Sequence, residues 1–364
     1  MRVVAKIGSS SITTDDGTID EAAIRKFSAE VAALRAAGHA VVAVTSGAIA
    51  AGRPVVMDES ARRSRDVVTL QALAAVGQSR LMRVYDGCFA EHGLVCGQVL
   101  LVPLDFGRRQ QYLHARDTIR RMLELGVLPV VNENDTIADD SIRFGDNDRL
   151  AALVAHLVEA DILVLLTDTP GLLTADPRLD PSASLIEEIV EFDQTVVGVA
   201  GRAGSRGSGG MSSKVAAAKM AAWSGVRTVI AAADRDGVLL AIVAGEPGVG
   251  TVVLPRDRRL PARKLWIAFA VPANGVVVVD DGARHALVAR GRSLLPAGVV
   301  RVDGRFDADS AVEIADTAGR VFAKGLARVG SSSLAAAAGR RTADLPDGMP
   351  HEIVHRNDLV VLTS

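Results

Sequence analysis

The stretch Gly207-Ser208-Gly209-Gly210-Met211-Ser212-Ser213-Lys214 brings together glycines, hydroxyls and one ammonium just before an Ala-rich helical pattern. Glycine amides, a positive helix end and a point charge are the makeup of a polyphosphate cradle. The stretch is not a P-loop, because that motif needs Gly directly before its Lys and Ser or Thr directly after it. Here Ser213 precedes Lys214 and Val215 follows it. A second ammonium, Lys6, lies inside the apolar run VVAKIG and leads into Gly8. A lysine in a buried strand is costly unless its charge meets an anion, and Gly8 lets a phosphate approach backbone amides closely. The plainer alternative is an edge strand whose Lys6 reaches out to water.

Three further clusters follow apolar runs. Ser46-Gly47 opens a helical segment, where Ser46 is a natural N-cap and the small Gly47 admits a carboxylate to free amides. Asn132-Glu133-Asn134-Asp135 and Gly145-Asp146-Asn147-Asp148 set carboxylates and amides on adjacent connections. Such a pair suits an ammonium group or a hydrated metal ion. Histidine is missing from both, which disfavours zinc. Thr167-Asp168 ends another run, either as an ordinary strand-to-turn pair or in a position to contact a nucleotide, where Asp168 could orient nearby lysines.

These clusters need a scaffold that delivers strand ends to one edge. Apolar runs at 3–8, 40–46, 94–102, 127–132, 161–167 and 226–232 read as strands. Amphipathic stretches at 19–38, 66–93, 112–126 and 146–160 read as helices, several of them ending in Gly. Wholly apolar strands alternating with such helices predict an α/β three-layer sandwich with a mainly parallel sheet. Ligands bind beyond the carboxyl ends of strands in such sheets. After about residue 250 the texture shifts to short strands with little helix, which predicts a small β-rich second domain. The expected boundaries are 1–255, a linker at 256–274, and 275–364.

Bulk properties narrow the function classes. The 364 residues carry 41 Lys and Arg against 43 Asp and Glu, so no basic footprint points to nucleic acid or a membrane surface. The second domain adds only Phe306 and Phe322 as aromatics, too few for base stacking. No apolar run reaches the ~18 residues of a membrane span, and two cysteines make no disulfide framework. A soluble, cytoplasmic protein is expected. His351-Glu352-Ile353-Val354-His355 spells HExxH, but Pro350 and the β-branched pair read as strand. Histidines four apart in a strand stand roughly 13 Å apart, too far to share a zinc ion.

In this order the segments VAKIGSS (4–10), VTSGAIAAG (44–52), PVVNENDTI (129–137), FGDND (144–148), LLTDTPGLLTADPR (165–178) and SGGMSSK (208–214) resemble the amino-acid kinase family, specifically its glutamate-phosphorylating branch. VDDGARHAL (279–287), GRSLLPAGV (291–299) and AKGLARV (323–329) are similar to a PUA domain. The resemblance implies ATP and Mg²⁺ as cofactors and transfer of a phosphoryl group to the γ-carboxylate of L-glutamate, which opens proline synthesis. It assigns Lys6, Lys214 and Asp148 to catalysis, with Asp148 either touching Mg²⁺ or organising the lysines. Ser46, Gly47, Asn132, Asp135, Asp146 and Asn147 would hold glutamate. Lys6, Gly8, Thr167, Asp168, Ser208, Gly209, Gly210, Met211, Ser212, Ser213 and Lys214 would hold ATP, and no side chain is assigned to a metal. It further implies a homo-oligomer, proline as a feedback ligand and a glutamyl-phosphate reductase as partner. A kinase of the same fold for another amino acid, or an RNA role through the second domain, are the alternatives.

Overall fold

The computed structural model describes residues 1–362 except 15, 138–146, 178, 193–197, 199–209, 258 and 347. It divides into two units, Met1–Leu260 and Pro261–Ser364. The stretch 256–274 is not bare chain: it holds the short helix Ala262–Leu265 and a π-turn at Trp266–Ala270.

In the first unit the strands are β1 (Arg2–Ile7), β2 (Ala40–Val44), β3 (Cys96–Leu101), β4 (Leu128–Glu133), β5 (Ile162–Thr167), β6 (Glu188–Ile189), β7 (Arg227–Ala232) and β8 (Gly250–Val253). They form one sheet in the order β3-β4-β2-β1-β5-β7-β8-β6. Every pairing is parallel except β7 with β8. The helices are α1 (Glu21–Ala36), α2 (Ala48–Gly52), α3 (Glu59–Arg63), α4 (Val67–Ala90), α5 (Arg109–Glu124), α6 (Asn147–Leu157), α7 (Met211–Trp223) and α8 (Val238–Ala244). Strands β1, β2, β4 and β5 are buried nearly throughout because helices cover the sheet. β1 lies between β2 and β5, which rules out an edge position for Lys6.

Sequence chemistry explains where the helices start. Asp20 accepts from the Ala23 amide, Asp58 from Ser60 and Ala61, and Asp66 from Thr69, so each helix start gains a carboxylate cap. The expected cap at Ser46 is not formed. Gly47, with φ at +99°, precedes α2 in its place and releases the serine hydroxyl for other partners.

Helix α2 lies against α4 at a distance only glycine permits. A Cβ on Gly77 would sit 1.8 Å from the Ala48 carbonyl oxygen, and one on Gly52 would sit 2.0 Å from that of Leu73. Gly77→Ala therefore forces α2 and the adjoining Ser46–Gly47 turn to move. The expected cost is roughly 2–3 kcal/mol, read as a lowered Tm, together with weakened binding of whatever ligand Ser46 holds. An unchanged Tm would show that the helices separate freely.

The second unit has its own core around Val277, Ile314, Phe322 and Ile353. Its strands are β9 (Gly275–Val279), β10 (Val299–Gly304), β11 (Ala311–Ala315), β12 (Val321–Leu326) and β13 (Leu359–Val361), ordered β10-β9-β11-β12-β13. Only the β9–β11 pairing is parallel. The helices Asp281–Arg290 and Ser331–Ala337 exceed the little helix expected there. The HExxH stretch is neither helix nor regular strand. Val354 forms an isolated bridge with Leu294, the Ile353 amide also donates to the Leu294 carbonyl, and His355 Nδ1 accepts from the Asn357 amide at a following 3-10 turn.

Candidate active site

Lys6 projects from central strand β1 and Lys214 from the first turn of α7, and both meet Asp148 in the first turn of α6. Lys6 Nζ lies 2.6 Å from Asp148 Oδ1, and Lys214 Nζ lies 3.4 Å from Oδ2. All three side chains are at least 96% buried. Burial pushes the Asp148 pKa up, but the charges of Lys6 and Lys214 and their hydrogen bonds outweigh it and hold the carboxyl below its ordinary range. For Lys214 burial is the largest influence and lowers the pKa, with the Asp148 carboxylate opposing it. Two ammonium groups against one carboxylate leave a buried excess of one positive charge, a site that favours a further anion.

The groups expected around a phosphate chain lie close by. A Cβ on Gly8 would sit 3.2 Å from Lys6 Nζ, so the ammonium hangs close over this backbone and a side chain there would crowd it. Gly210 precedes α7 without any side-chain cap, with Met211, Ser212 and Ser213 in the first turn. Its early amides face the anion-favouring end of a 13-residue helix. Thr167 Oγ1 donates to Asp168 Oδ1 at 3.1 Å at the end of β5. Asp168 itself is exposed and supports the charged state of Lys214 by its field. Ser208 and Gly209, like Asp146, lie outside the described residues.

A second constellation joins β2, β4, α6 and α4. Asn147 Nδ2 donates to Ser46 Oγ at 3.0 Å and to Asn132 Oδ1 at 3.1 Å. Asn132 Oδ1 also accepts from the Glu133 amide, and Asn132 Nδ2 donates to Gln78 Oε1 at 2.8 Å. Thr45, beside Ser46, is tied to the buried Tyr85 hydroxyl of α4 at 2.7 Å. Gln78 and Tyr85 were given no role by the sequence, although Gln78 lies in ALAAVGQSRL (72–81), a helical segment that also resembles the amino-acid kinase family; its neighbour Asn132 shows its use.

Asp135, Ser46, Gly47 and Asn147 open on a cavity of about 930 Å³, roughly the size range of small-molecule sites. Arg53, Arg62 and Arg65 also line it, and the sequence reading passed over all three. Asp135 is 7% exposed, and its Oδ1 has no hydrogen-bond partner among the described residues. Burial pushes its pKa up to about 6 from an ordinary value of 3.8. A buried carboxylate with an unused acceptor calls for a cation, and in a cavity of this size a ligand ammonium fits.

The sign of the pH effect follows. The folded state holds the Asp135 proton more tightly than the unfolded chain, so this group destabilises the fold as pH rises from 3.8 towards about 6. Asp135→Asn should raise Tm at pH 7 to 8, by an amount equivalent to about 3 kcal/mol at most, with the gain fading near pH 4. The same variant should weaken binding of an ammonium ligand. A stabilisation independent of pH would show that the carboxylate is not the cause.

Among the described residues no three His, Cys, Asp or Glu side chains converge, and both Asp148 oxygens already face lysines. The described side chains do not form a cage for a divalent ion. No helix among them is long and apolar enough to cross a membrane.

Comparison with known proteins bears on this geometry. The amino acid kinase family pattern matches residues 1–232, and that of the PUA domain matches 275–349. A glutamate 5-kinase of Pelobacter propionicus is 44% identical, over 99% of this chain and 97% of its own. One of Burkholderia mallei is also 44% identical, over 99% of this chain and 98% of its own. Among solved structures, a UMP kinase from Bacillus anthracis is 15% identical with a TM-score of 0.48, covering 70% of this chain and 95% of its own.

Proposed function

Because this chain belongs to the amino acid kinase family, among the glutamate 5-kinases, we propose that it transfers the γ-phosphoryl group of ATP to the γ-carboxylate of L-glutamate. The product is L-glutamyl 5-phosphate, and the step opens proline biosynthesis. The observation that supports this most is the convergence of Lys6 and Lys214 on Asp148 from separate elements.

The chemistry requires little more than charge control. The nucleophile is a carboxylate, ionised at neutral pH, so no general base is needed. The obstacle is repulsion between that carboxylate and the triphosphate, and then the negative charge spread over the transferring group. Lys6, reaching from β1 over Gly8, and Lys214, from the start of α7, act on this charge from two sides. The early amides of α7 and the hydroxyls of Ser212 and Ser213 receive phosphate oxygens, and Thr167 and Asp168 border the nucleotide. Asp148 is a positioning residue: it holds both ammonium groups in place and charged until the anions arrive. The unpaired oxygen of Asp135 receives the substrate ammonium, while Ser46, Asn132 and Asn147 fix the amino acid for in-line attack.

A divalent ion supplies further charge neutralisation when it is bound. Such an ion is expected to arrive on the phosphates of ATP. The acyl phosphate product is labile in water, so the chemistry calls for a reductase that consumes it.

Trapping the product as a hydroxamate, with ATP and a panel of acidic amino acids, tests the reading. Glutamate should give the hydroxamate far faster than aspartate or N-acetylglutamate. A preference for either of the others would replace the proposed substrate.

A further inference from the structure

We infer that Arg65 receives the α-carboxylate of the amino-acid substrate and so sets the demand for a free α-amino acid. The inference rests on the glutamate reading of the site. It begins with the charges that glutamate would bring. Its γ-carboxylate goes to the lysine end and its ammonium to Asp135. The α-carboxylate shares a carbon with that ammonium, so it must enter the same cavity beside the buried Asp135. With the ammonium on Asp135, the α-carboxylate is stabilised further by a cation that faces it from the cavity wall.

Three arginines line this cavity, and they are not equivalent. Arg53 Nη1 donates to the Arg62 carbonyl. Arg62 donates from Nε to the Val56 carbonyl at 2.6 Å and from Nη2 to that of Pro54 at 3.3 Å. Both therefore shape the 53–63 loop. Arg65, an exposed residue on the cavity wall, has neither a hydrogen bond nor an ion pair among the described residues, so a ligand carboxylate would displace only water from its five donors.

Its backbone, by contrast, is tightly placed. Ser64 ends α3, and the Asp66 amide donates to Ser64 Oγ at 3.0 Å. Asp66 caps α4 through the Thr69 amide at 3.0 Å. Arg65 thus sits between a helix end and a capped helix start, a fixed root for a guanidinium that can bind a carboxylate through two parallel hydrogen bonds. Asp16, the other acidic group on the cavity wall, accepts from the Thr14 and Thr18 hydroxyls through Oδ1.

Steady-state kinetics of Arg65→Ala and Arg65→Lys in the full chain test the inference, with L-isoglutamine, whose α-carboxylate is replaced by a neutral amide, as competitive inhibitor. Arg65→Ala should raise the glutamate KM at least ~10-fold, leave the ATP KM and kcat within about threefold, and leave the isoglutamine inhibition constant unchanged. Arg65→Lys should recover part of the loss. A glutamate KM within threefold of wild type overturns the inference, and so does a matching loss in glutamate and isoglutamine affinity. If the wild-type protein forms no hydroxamate from glutamate, the substrate reading itself fails and the inference falls with it.

Discussion

Replacing Lys6 or Lys214 with alanine is expected to lower kcat by at least ~10²-fold, with a folded protein and little change in the glutamate KM. Each lysine ends in a buried pocket, where a charge acts far more strongly on a developing anion than it does in water. The two meet different oxygens of Asp148 from separate elements, so neither covers for the other's geometry. Removing Lys214 leaves the close Lys6–Asp148 pair intact, and removing Lys6 leaves the longer Lys214 pair. The fold therefore survives in both variants, as circular dichroism and Tm would record. Wild-type turnover in either variant would remove that lysine from the chemistry.

Asp148→Asn should behave in the opposite way, with loss of stability leading. It takes from two buried ammonium groups the carboxylate that both of them meet, and breaking a buried ion pair from one side costs about 3–5 kcal/mol. A second change tests the cause. Asp148→Asn combined with Lys214→Met removes one of the two repelling charges and should recover much of the lost stability without recovering activity. A double variant no more stable than Asp148→Asn alone would show that repulsion between the lysines is not the source of the loss.

Much of the scaffold was legible because buried parallel strands have a plain signature. The runs around Val3–Ile7, Val41–Val44, Val130–Val131 and Ile162–Leu166 are apolar on both faces, and the structure places each in the sheet. The last strands of the first unit were harder. Gly250–Val253 and Glu188–Ile189 are short, and the antiparallel turn of β8 depends on pairing that periodicity does not encode. The helix Asp281–Arg290 was hidden because its pattern begins inside an apparent strand ending, Asp280-Asp281, where Asp280 proves to be an N-cap.

For the site, residue type and place in the pattern, inside a buried strand for Lys6, at a helix start for Lys214 and on the connections between for Ser46, Asn132, Asp135, Asn147 and Asp148, were enough to make them candidates. Partnership was not legible. Whether Asp148 met a metal or the lysines depended on which side chains three distant segments bring to it. Gln78 lies in a segment that resembles the family but carries no local sign of a role, and Arg65, between two helices, was not marked at all. The close approach at Gly52 and Gly77 was equally silent, since a glycine inside a helical pattern reads only as a mild weakness until its neighbour is known.

A crystal structure with ADP, Mg²⁺, glutamate and a planar aluminium fluoride in place of the transferring group tests the central claim most directly. The two ammonium groups of Lys6 and Lys214 should each lie within about 3.2 Å of a fluoride or a bridging oxygen, on different sides of the plane's centre. If either ammonium stays on Asp148 and points away from the planar group, the charge neutralisation proposed for this enzyme is wrong.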